Sequence, residues 1–202
     1  IKLDSIMEIE DIKLLIKNEL GYLPKGRGIE DMLELAREES YTRGQAIIQE
    51  GRKCPDIYIV TRGIVRFADM DGERERTFAF ALPGSIVMSK HSFVMDLPSY
   101  YRLEACCDTD VLVIDRDEFW ALMERDHEMA LWMLKYAYGE CFYQEYKNAS
   151  VHNGTAADRY RRMLADRPEI TDRVPQKMVA SYLGVTPEYL SKLKRDYFKP
   201  IK

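Results

Sequence analysis

The stretch that decides the fold is PQKMVASYLGVTPEYLSKLKRD, residues 175–196. Its first half, QKMVASYL, has apolar side chains at helical spacing and follows Pro175, which fits the first turn of a helix. Gly184 then supplies the left-handed conformation that ends a helix. Thr186 is an N-cap residue type, and Pro187 suits the first helical position, so a second helix begins at once. The sequence predicts two short helices joined by a tight turn.

Such a helical hairpin is compatible with two folds. In a helix-turn-helix, Ala180, Val185 and Leu190 would lie between the helices, and polar side chains would face outward from the second helix: Glu188, Tyr189, Ser191, Lys192 and Arg195. A generic α-helical hairpin has the same apolar pattern. DNA binding is favoured by the basic charge of the segment and by polar side chains where base edges would be met.

The charge of the chain is unevenly distributed. The net charge is -4, but from Asp158 onward there are 11 Lys and Arg against 6 Asp and Glu, a net of +5, while the preceding residues have 19 against 28, a net of -9. Lys and Arg drive nucleic-acid affinity by neutralising phosphates. The basic C-terminal part therefore predicts a polyanionic partner, although a solvated helical surface would have the same charge.

Composition restricts the class of protein. With 202 residues, 46% hydrophobic and 32% charged, the chain is long enough for one good core and a second, smaller one. No run reaches the roughly 18 apolar residues that a membrane span needs, and the acidic N-terminus is unlike a signal peptide, so we expect a cytoplasmic protein without a membrane partner. The cysteine spacing fits neither a zinc nor an iron–sulfur site and predicts reduced, structural thiols at Cys54, Cys106, Cys107 and Cys141.

Two helices and then a β-rich region are predicted in the first half of the chain. Residues 8–20, EIEDIKLLIKNEL, and 28–40, GIEDMLELAREES, have apolar residues at helical spacing. From Tyr41 onward, short β-rich runs alternate with Gly, Pro and Asp turns and end with YYRLEACCDTDVLVI. Strands at such spacing are typical of a sandwich or barrel.

Glycines mark the predicted turns of this region. Asp71 and Gly72 lie between the alternating arms GIVRFADM and ERTFAFAL, where a two-residue hairpin turn needs positive φ angles. Gly63 and Gly84 are predicted to form strand corners.

A single long helix is predicted over residues 117–148, because the stretch begins with acidic residues, contains no proline and is apolar on more than one face. A helix of this kind is buried on two sides. We expect one side to pack on the β-rich domain and the other on a second copy of the chain, with the interface residues Met129, Ala130, Met133, Leu134, Ala137 and Cys141. Burial within one subunit is the alternative.

The whole chain resembles the Crp/Fnr family of bacterial transcription regulators, and RVPQKMVASYLGVTPEYLSKLKRD is similar to the branch common in Bacteroidetes-type bacteria. The resemblance implies an α+β fold with a double-stranded, jelly-roll or cupin-like β-roll sensor at 1–116, similar to cyclic-nucleotide-binding domains. It further implies a dimerisation helix at 117–148, a hinge at 149–157 and a helical, winged-helix-like DNA-binding domain at 158–202. Double-stranded DNA, a second copy of the chain and RNA polymerase are the implied partners.

The resemblance also assigns roles to the second helix of the hairpin, which the family inserts into the major groove. Family members commonly use a Glu near its start to accept from a cytosine amino group and an Arg one turn later for guanine, and Glu188 and Lys192 stand at these positions. Lys can donate to guanine but lacks the rigid fork of Arg, so base preference there is open. The other expected DNA contacts are Thr186, Tyr189, Ser191, Lys194, Arg195 and Lys199, of which Tyr189, Ser191, Lys194 and Lys199 suit phosphates.

The sensor departs from the cyclic-nucleotide-binding members of the family. They share a cassette in which a Glu after Gly holds the ribose and a later Arg holds the cyclic phosphate. Here Ser85 follows Gly84, Ser99 stands at the Arg position, and Arg102 lies on the opposite strand face because of its odd spacing. A buried cyclic phosphate would be unpaired. We therefore expect no cyclic nucleotide and no cofactor, and a candidate pocket for an unknown small-molecule effector at Gly84, Ser85, Ser99, Tyr100 and Arg102.

Other classes of function find less support in the residues. No cysteine before Cys54 can ligate a cluster, and His91 is the one histidine in the β-rich region, so neither a haem site nor a cupin-type metal triad is expected. No spacing indicates a catalytic nucleophile, so we expect no enzyme. The alternative is a ligand-binding module that regulates another protein without touching DNA, which leaves the C-terminal hairpin without a role. The sequence thus predicts a homodimeric transcription regulator that reads a palindromic DNA site.

Overall fold

The computed structural model of the chain describes residues 7–152 and 154–197. Two helices precede the strands, one lies among them and six follow. Their bounds are α1 Ile9–Leu20, α2 Gly28–Glu34, α3 Lys90–Met95, α4 Arg116–Arg125, α5 His127–His152, α6 Ala156–Asp166, α7 Pro168–Arg173, α8 Gln176–Leu183 and α9 Pro187–Tyr197.

Eight antiparallel strands form two four-stranded sheets. Their bounds are β1 Arg37–Tyr41, β2 Ala46–Ile48, β3 Ile57–Arg62, β4 Val65–Asp71, β5 Arg74–Ala81, β6 Ile86–Val87, β7 Arg102–Ala105 and β8 Thr109–Ile114. The strand orders are β1-β8-β3-β6 and β2-β7-β4-β5, and apolar side chains of both sheets form one buried cluster between them. The protein is thus α+β with an N-terminal β-roll, as predicted.

The hairpin of β4 and β5 forms where it was predicted, but its turn lies one residue later. Asp71 pairs with Arg74, so the two turn residues are Gly72 and Glu73, where Asp71 and Gly72 were expected. Gly72 has a φ of 64° and supplies the positive φ at the first turn position. Asp71 remains in the ladder because extended backbone accommodates it without strain.

Gly63 and Gly84 form the predicted strand corners. Gly63 connects β3 to β4 with a φ of 95°, and Gly84 connects β5 to β6 with a φ of 93°. A Cβ on Gly84 would lie 2.1 Å from the carbonyl oxygen of Leu15 in α1. The absence of a side chain therefore permits both the corner and the close packing of α1.

Replacing Gly84 by alanine is expected to destabilise the fold strongly. The positive φ alone costs a residue with a side chain about 1–3 kcal/mol, and the clash with the backbone of Leu15 adds to that cost. Gly72→Ala is the matched control, because Gly72 also has positive φ, but an alanine methyl group there would meet no atom within 4 Å. Chemical denaturation gives the free energy of unfolding of both variants. Equal losses would contradict the steric argument.

Strand β1 occupies residues that were predicted to be helical. The prediction extended a helix over 28–40, but α2 ends at Glu34 and residues Arg37–Tyr41 form β1. This strand pairs with β8 from Arg37↔Val113 to Tyr41↔Thr109. REESY contains helix-forming residues, but it forms a strand here because β8 pairs with it along its full length. Tertiary pairing thus outweighs local propensity.

The predicted single helix over 117–148 is wrong in its continuity. The chain leaves helical geometry at Asp126, which has φ -120° and ψ 101° and separates α4 from α5. The Asp126 carboxylate accepts hydrogen bonds from the backbone amides of Glu128 at 2.9 Å and Met129 at 3.2 Å. Asp126 therefore caps the N-terminus of α5 and stabilises the break.

The C-terminal part differs from the prediction in three respects. Helix α5 continues to His152, so residues 149–152 of the predicted hinge are helical. Pro168 begins α7 directly after α6, where only the end of a helix was expected, because proline suits a first helical position. The described stretch 154–197 contains helices and no strand, so it has the helices of the predicted winged-helix-like domain but no β-wing.

Candidate nucleic-acid interface and sensor interior

Helices α8 and α9 form a helix-turn-helix through local backbone chemistry. Gly184 ends α8 with a φ of 67°, and the amide of Val185 donates to the carbonyl of Ala180 at 2.9 Å. The Thr186 hydroxyl then accepts from the amide of Tyr189 at 3.2 Å and caps α9. Leu190 is fully buried behind the turn. The turn has the residues and roles that the sequence predicted.

The outward face of α9 is polar and accessible. Six of the predicted DNA contacts are exposed on or directly before this helix: Thr186, Glu188, Tyr189, Ser191, Lys192 and Arg195. Lys194 is half-buried, and Lys199 lies outside the described residues. Because a helix that enters a groove must present side chains free of other contacts, this face has the surface that base or phosphate contact requires.

Local hydrogen bonds affect the charge of one side chain on this face and the donor capacity of another. Hydrogen bonds from its own backbone amide and from Thr186 lower the pKa of Glu188, so it stays an anionic acceptor. The Ser191 hydroxyl donates to the carbonyl of Pro187 at 2.9 Å. While that bond is kept, Ser191 has no proton to offer a phosphate oxygen, and it can act only as an acceptor.

Arg159 of α6 supports the turn and was not identified from the sequence. Its guanidinium donates to the carbonyl of Leu183 at 2.9 Å and to the carbonyl of Gly154 at 3.0 Å. The first of these carbonyls is among those that the end of α8 leaves without a helical partner. Arg159 was not distinguishable from the neighbouring arginines of ADRYRRML, because the interaction joins separate helices.

The helix-turn-helix packs directly on the β-roll. Ile64, Leu82 and Cys106 of the roll share one buried cluster with the helices α6–α9. The ring of Phe80 in β5 lies 5.2 Å from that of Tyr182 in α8. Burial raises the pKa of the Cys106 thiol to about 12, so this cysteine acts as an apolar packing residue.

Half-buried aromatic side chains pack beside the apolar cluster between the sheets, which Phe67 and Tyr101 contact. The rings of Phe67, Phe78 and Tyr101 pack against one another with centroids 5.5 to 5.8 Å apart. Phe67 pairs with Ala79 and Ala68 with Thr77, so Phe78 is the extra residue of a β-bulge. The Tyr101 hydroxyl donates to the carbonyl of Met88 at 2.9 Å. The bulge thus places a further aromatic ring beside those of Phe67 and Tyr101.

The residues of the predicted effector pocket have separate surroundings. The Ser85 hydroxyl accepts from the amide of Leu82 at 3.0 Å and donates to Glu19 of α1 at 2.9 Å. The backbone of Ser99 instead pairs with residues 51 and 52, and Tyr100 is exposed and stacks on His91. Gly84 packs on α1. Ser85 and Ser99 share no hydrogen-bond partner in these contacts.

Arg102 lies on the outer face of its sheet, as the strand parity predicted. It forms ion pairs with Glu75 and, at 2.9 Å, with Glu104. Buried Arg66 also bonds both carboxylates, at 2.5 Å and 3.0 Å. A shallow cleft of about 170 Å³ lies beside Arg66, next to Lys177 of α8. Arg102 and Arg66 therefore belong to one charge network with Glu75 and Glu104 on the outer face of this sheet.

Helix α5 presents two opposite apolar faces. Met129, Trp132 and Tyr136 are buried in the sensor core, and the Tyr136 hydroxyl donates to the carbonyl of Ile86 at 2.8 Å. The opposite side exposes a stripe at spacings of three and four residues, here called the α5 stripe: Leu131, Leu134, Tyr138 and Phe142.

The predicted interface residues divide between these two faces. Met129 is completely buried in the sensor, and Ala130 and Met133 are partly buried against the same core. Leu134, Ala137 and Cys141 are exposed. The exposure of Cys141 differs from the expectation that all four free cysteines have structural roles. Sequence spacing identified two apolar faces but did not indicate which of them packs on the sensor.

Two further features bear on the kind of site. Among the residues that the structure describes, no group of three His, Cys, Asp or Glu side chains could hold a metal ion. No helix in the described ranges combines the length and the apolar character needed to cross a bilayer.

Comparison with known proteins identifies the sensor. Residues 38–126 match the family model of the cyclic nucleotide-binding domain, and a search of curated proteins gave no significant match. The matched range covers all strands from the second residue of β1 through β8 together with α4.

Solved structures extend the similarity beyond the sensor. FixK2 from Bradyrhizobium japonicum is 24% identical with a TM-score of 0.68, covering 80% of this chain and 83% of its own. The catabolite activator protein of Thermus thermophilus is 19% identical with a TM-score of 0.55, covering 84% and 82%. The c-di-GMP-responsive regulator CLP of Xanthomonas campestris is 17% identical with a TM-score of 0.64, covering 84% and 90%. Residues 38–126 are therefore similar to the cyclic nucleotide-binding domain, and the chain shares its overall fold with these three solved proteins.

Proposed function

We propose that the protein is a homodimeric, sequence-specific DNA-binding transcription regulator that is not controlled by a cyclic nucleotide. The observation that supports this best is the accessible polar face of α9, which is presented by a capped helix-turn-helix in the basic part of the chain. From Asp158 onward the chain has a net charge of +5. A surface of this charge and shape fits the major groove. The assignment to the Bacteroidetes-type branch stays a prediction.

The α5 stripe supports the dimer. Tyr138 and Phe142 are 70% and 69% exposed, and monomeric proteins rarely leave contiguous aromatic side chains in water. The stripe lies opposite the face that anchors α5 to the sensor, so pairing with a second copy would bury it without disturbing the core. A two-fold pair of α5 helices would relate two copies of α9, as recognition of a palindromic site requires.

Selection of genomic DNA fragments by the purified protein tests the function. We expect enrichment of fragments with an imperfect palindrome whose half-sites are about one helical turn apart. Enrichment of no duplex sequence at any salt concentration would refute the proposal and favour the second candidate, a module that regulates another protein without DNA. RNA polymerase as a partner would be tested on a selected promoter fragment by its recruitment in the presence of the protein.

Cyclic AMP and cyclic GMP are expected not to bind tightly. Arg102, the arginine nearest to Ser99 in sequence, pairs with carboxylates on the outer face, so it is not available to a cyclic phosphate between the sheets. Calorimetry should show no dissociation constant below about 1 mM, which corresponds to roughly 4 kcal/mol. Micromolar binding of either nucleotide would show that another cation replaces the missing arginine.

A further inference from the structure

The described helix-turn-helix is fastened to the edge of a sheet. Strand β5 ends the order β2-β7-β4-β5, so one side of its backbone has no neighbouring strand. The hydroxyl of Ser181 in α8 accepts from the amide of Thr77 at 2.9 Å and donates to the carbonyl of Glu75 at 3.4 Å. Ser181 therefore takes the place of a missing strand, and α8 covers an edge that would otherwise be open to pairing.

A second attachment joins α1 to the segment between α6 and α7. The guanidinium of Arg167 donates to both carboxylate oxygens of Glu19, at 2.6 Å and 3.0 Å, and the same carboxylate accepts from Ser85 at 2.9 Å. The Glu19 side chain is only 16% exposed. A bidentate, charge-assisted pair of this kind fixes orientation as well as distance. Glu19 thus connects the corner between β5 and β6 to the segment between α6 and α7, which packs with α8 and α9 in one buried cluster.

These attachments leave the recognition surface free. Ser181 and Tyr182 contact the sensor from α8, and Arg167 does so from the loop before α7. Lys192 and Arg195 of α9 are exposed in the same arrangement. The contacts therefore hold the helix-turn-helix without covering the side chains that would meet DNA.

We propose that Ser181, Glu19 and Arg167 form a dock that keeps the helix-turn-helix in its DNA-binding orientation without an effector molecule. The inference rests on the proposed function and concerns its regulation. The chain's own contacts then perform the orienting step that a ligand would otherwise supply.

The dock has a physical consequence for binding to a palindrome. After the first half-site is bound, the second recognition helix acts at an effective concentration set by how well its position is fixed. An undocked domain on a hinge has to lose orientational freedom at that step. Contact with a single half-site does not require a fixed distance between the helix-turn-helix domains of the two subunits. The dock should therefore strengthen full-site binding and leave half-site binding nearly unchanged.

The experiment uses the full chain with the variants Arg167→Gln, Glu19→Gln and the double variant. We expect each single variant to bind the selected palindrome at least tenfold more weakly, with half-site affinity reduced less than threefold. The double variant should resemble the single variants, since the two side chains act as one pair. Arg161→Gln is the matched control, because it removes the same charge from the same domain but breaks only an ion pair within α6.

A second readout does not depend on DNA. The amide of Thr77 donates to Ser181 and should exchange its hydrogen faster in the DNA-free protein when Arg167 or Glu19 is replaced, but not in Arg161→Gln. Unchanged exchange in all variants would overturn the dock. A rise in full-site affinity would also overturn the inference, since the contacts would then be inhibitory. A wild-type protein that binds no duplex would refute the proposed function, while the exchange data would still report on the contact itself.

Discussion

Replacing Tyr138 by glutamate is expected to convert the protein from a dimer into a monomer. Tyr138 lies in the middle of the α5 stripe, between Leu134 and Phe142, and is 70% exposed in the single chain. In a two-fold pair of helices, the substitution would place two carboxylates close together in an apolar contact. An unpaired ion in such a contact costs several kcal/mol, and the symmetry of the dimer applies the cost twice. Size-exclusion chromatography with light scattering measures the mass.

Tyr100→Glu is the matched control for this prediction. Tyr100 is 69% exposed and aromatic but lies on the sensor, stacked on His91. The same change of side chain there should leave the dimer intact. Because Tyr138 does not contribute to the core, its variant should also keep the unfolding temperature of the isolated subunit. A Tyr138→Glu protein that remains a dimer would show that the α5 stripe is covered in another way.

Loss of the dimer should also abolish tight binding to the palindrome. A monomer reaches only one half-site and therefore loses the gain in effective concentration that links the two recognition helices. We expect full-site affinity of Tyr138→Glu to fall to that of a half-site. An unchanged full-site affinity in a proven monomer would contradict a two-fold mode of recognition.

Replacing Lys192 by alanine is expected to weaken DNA binding by about 1–3 kcal/mol per half-site and to relax preference at one base pair. Lys192 is exposed one turn after Glu188, in the first half of α9, where the helix would approach base edges most closely. An ammonium group can donate to guanine O6 and N7. Selection from a randomised operator compares the base preferences of the wild-type protein and the variant.

Lys194→Ala supplies the contrast. Lys194 is half-buried and its position suits a phosphate, so its loss should weaken all sequences alike and reduce the salt dependence of binding. If Lys192→Ala instead lowers affinity uniformly and keeps the base preference, Lys192 contacts a phosphate. The rotation of α9 in the groove would then differ from the one proposed above.

The features that were predicted correctly from the sequence depend on interactions between residues close in the chain. Gly184 permits the left-handed residue that ends α8, and Thr186 caps α9 three residues before its amide partner at Tyr189. Gly63 and Gly84 form corners because only glycine readily adopts their positive φ angles. Such preferences act over a few residues and need no knowledge of what packs nearby, so the hairpins and the helix-turn-helix were predictable.

The remaining features depend on partners that the chain brings together only on folding. REESY becomes strand β1 because β8 offers hydrogen bonds to it, against the helical tendency of its residues. The pairing of Glu19 with Arg167, and of Ser181 with β5, joins residues far apart in the chain. Helix α5 has apolar residues on both sides, and only the fit of Trp132 and Tyr136 into the sensor core leaves Tyr138 outward. Packing and edge pairing are properties of surfaces in space, which a linear pattern of residues does not specify.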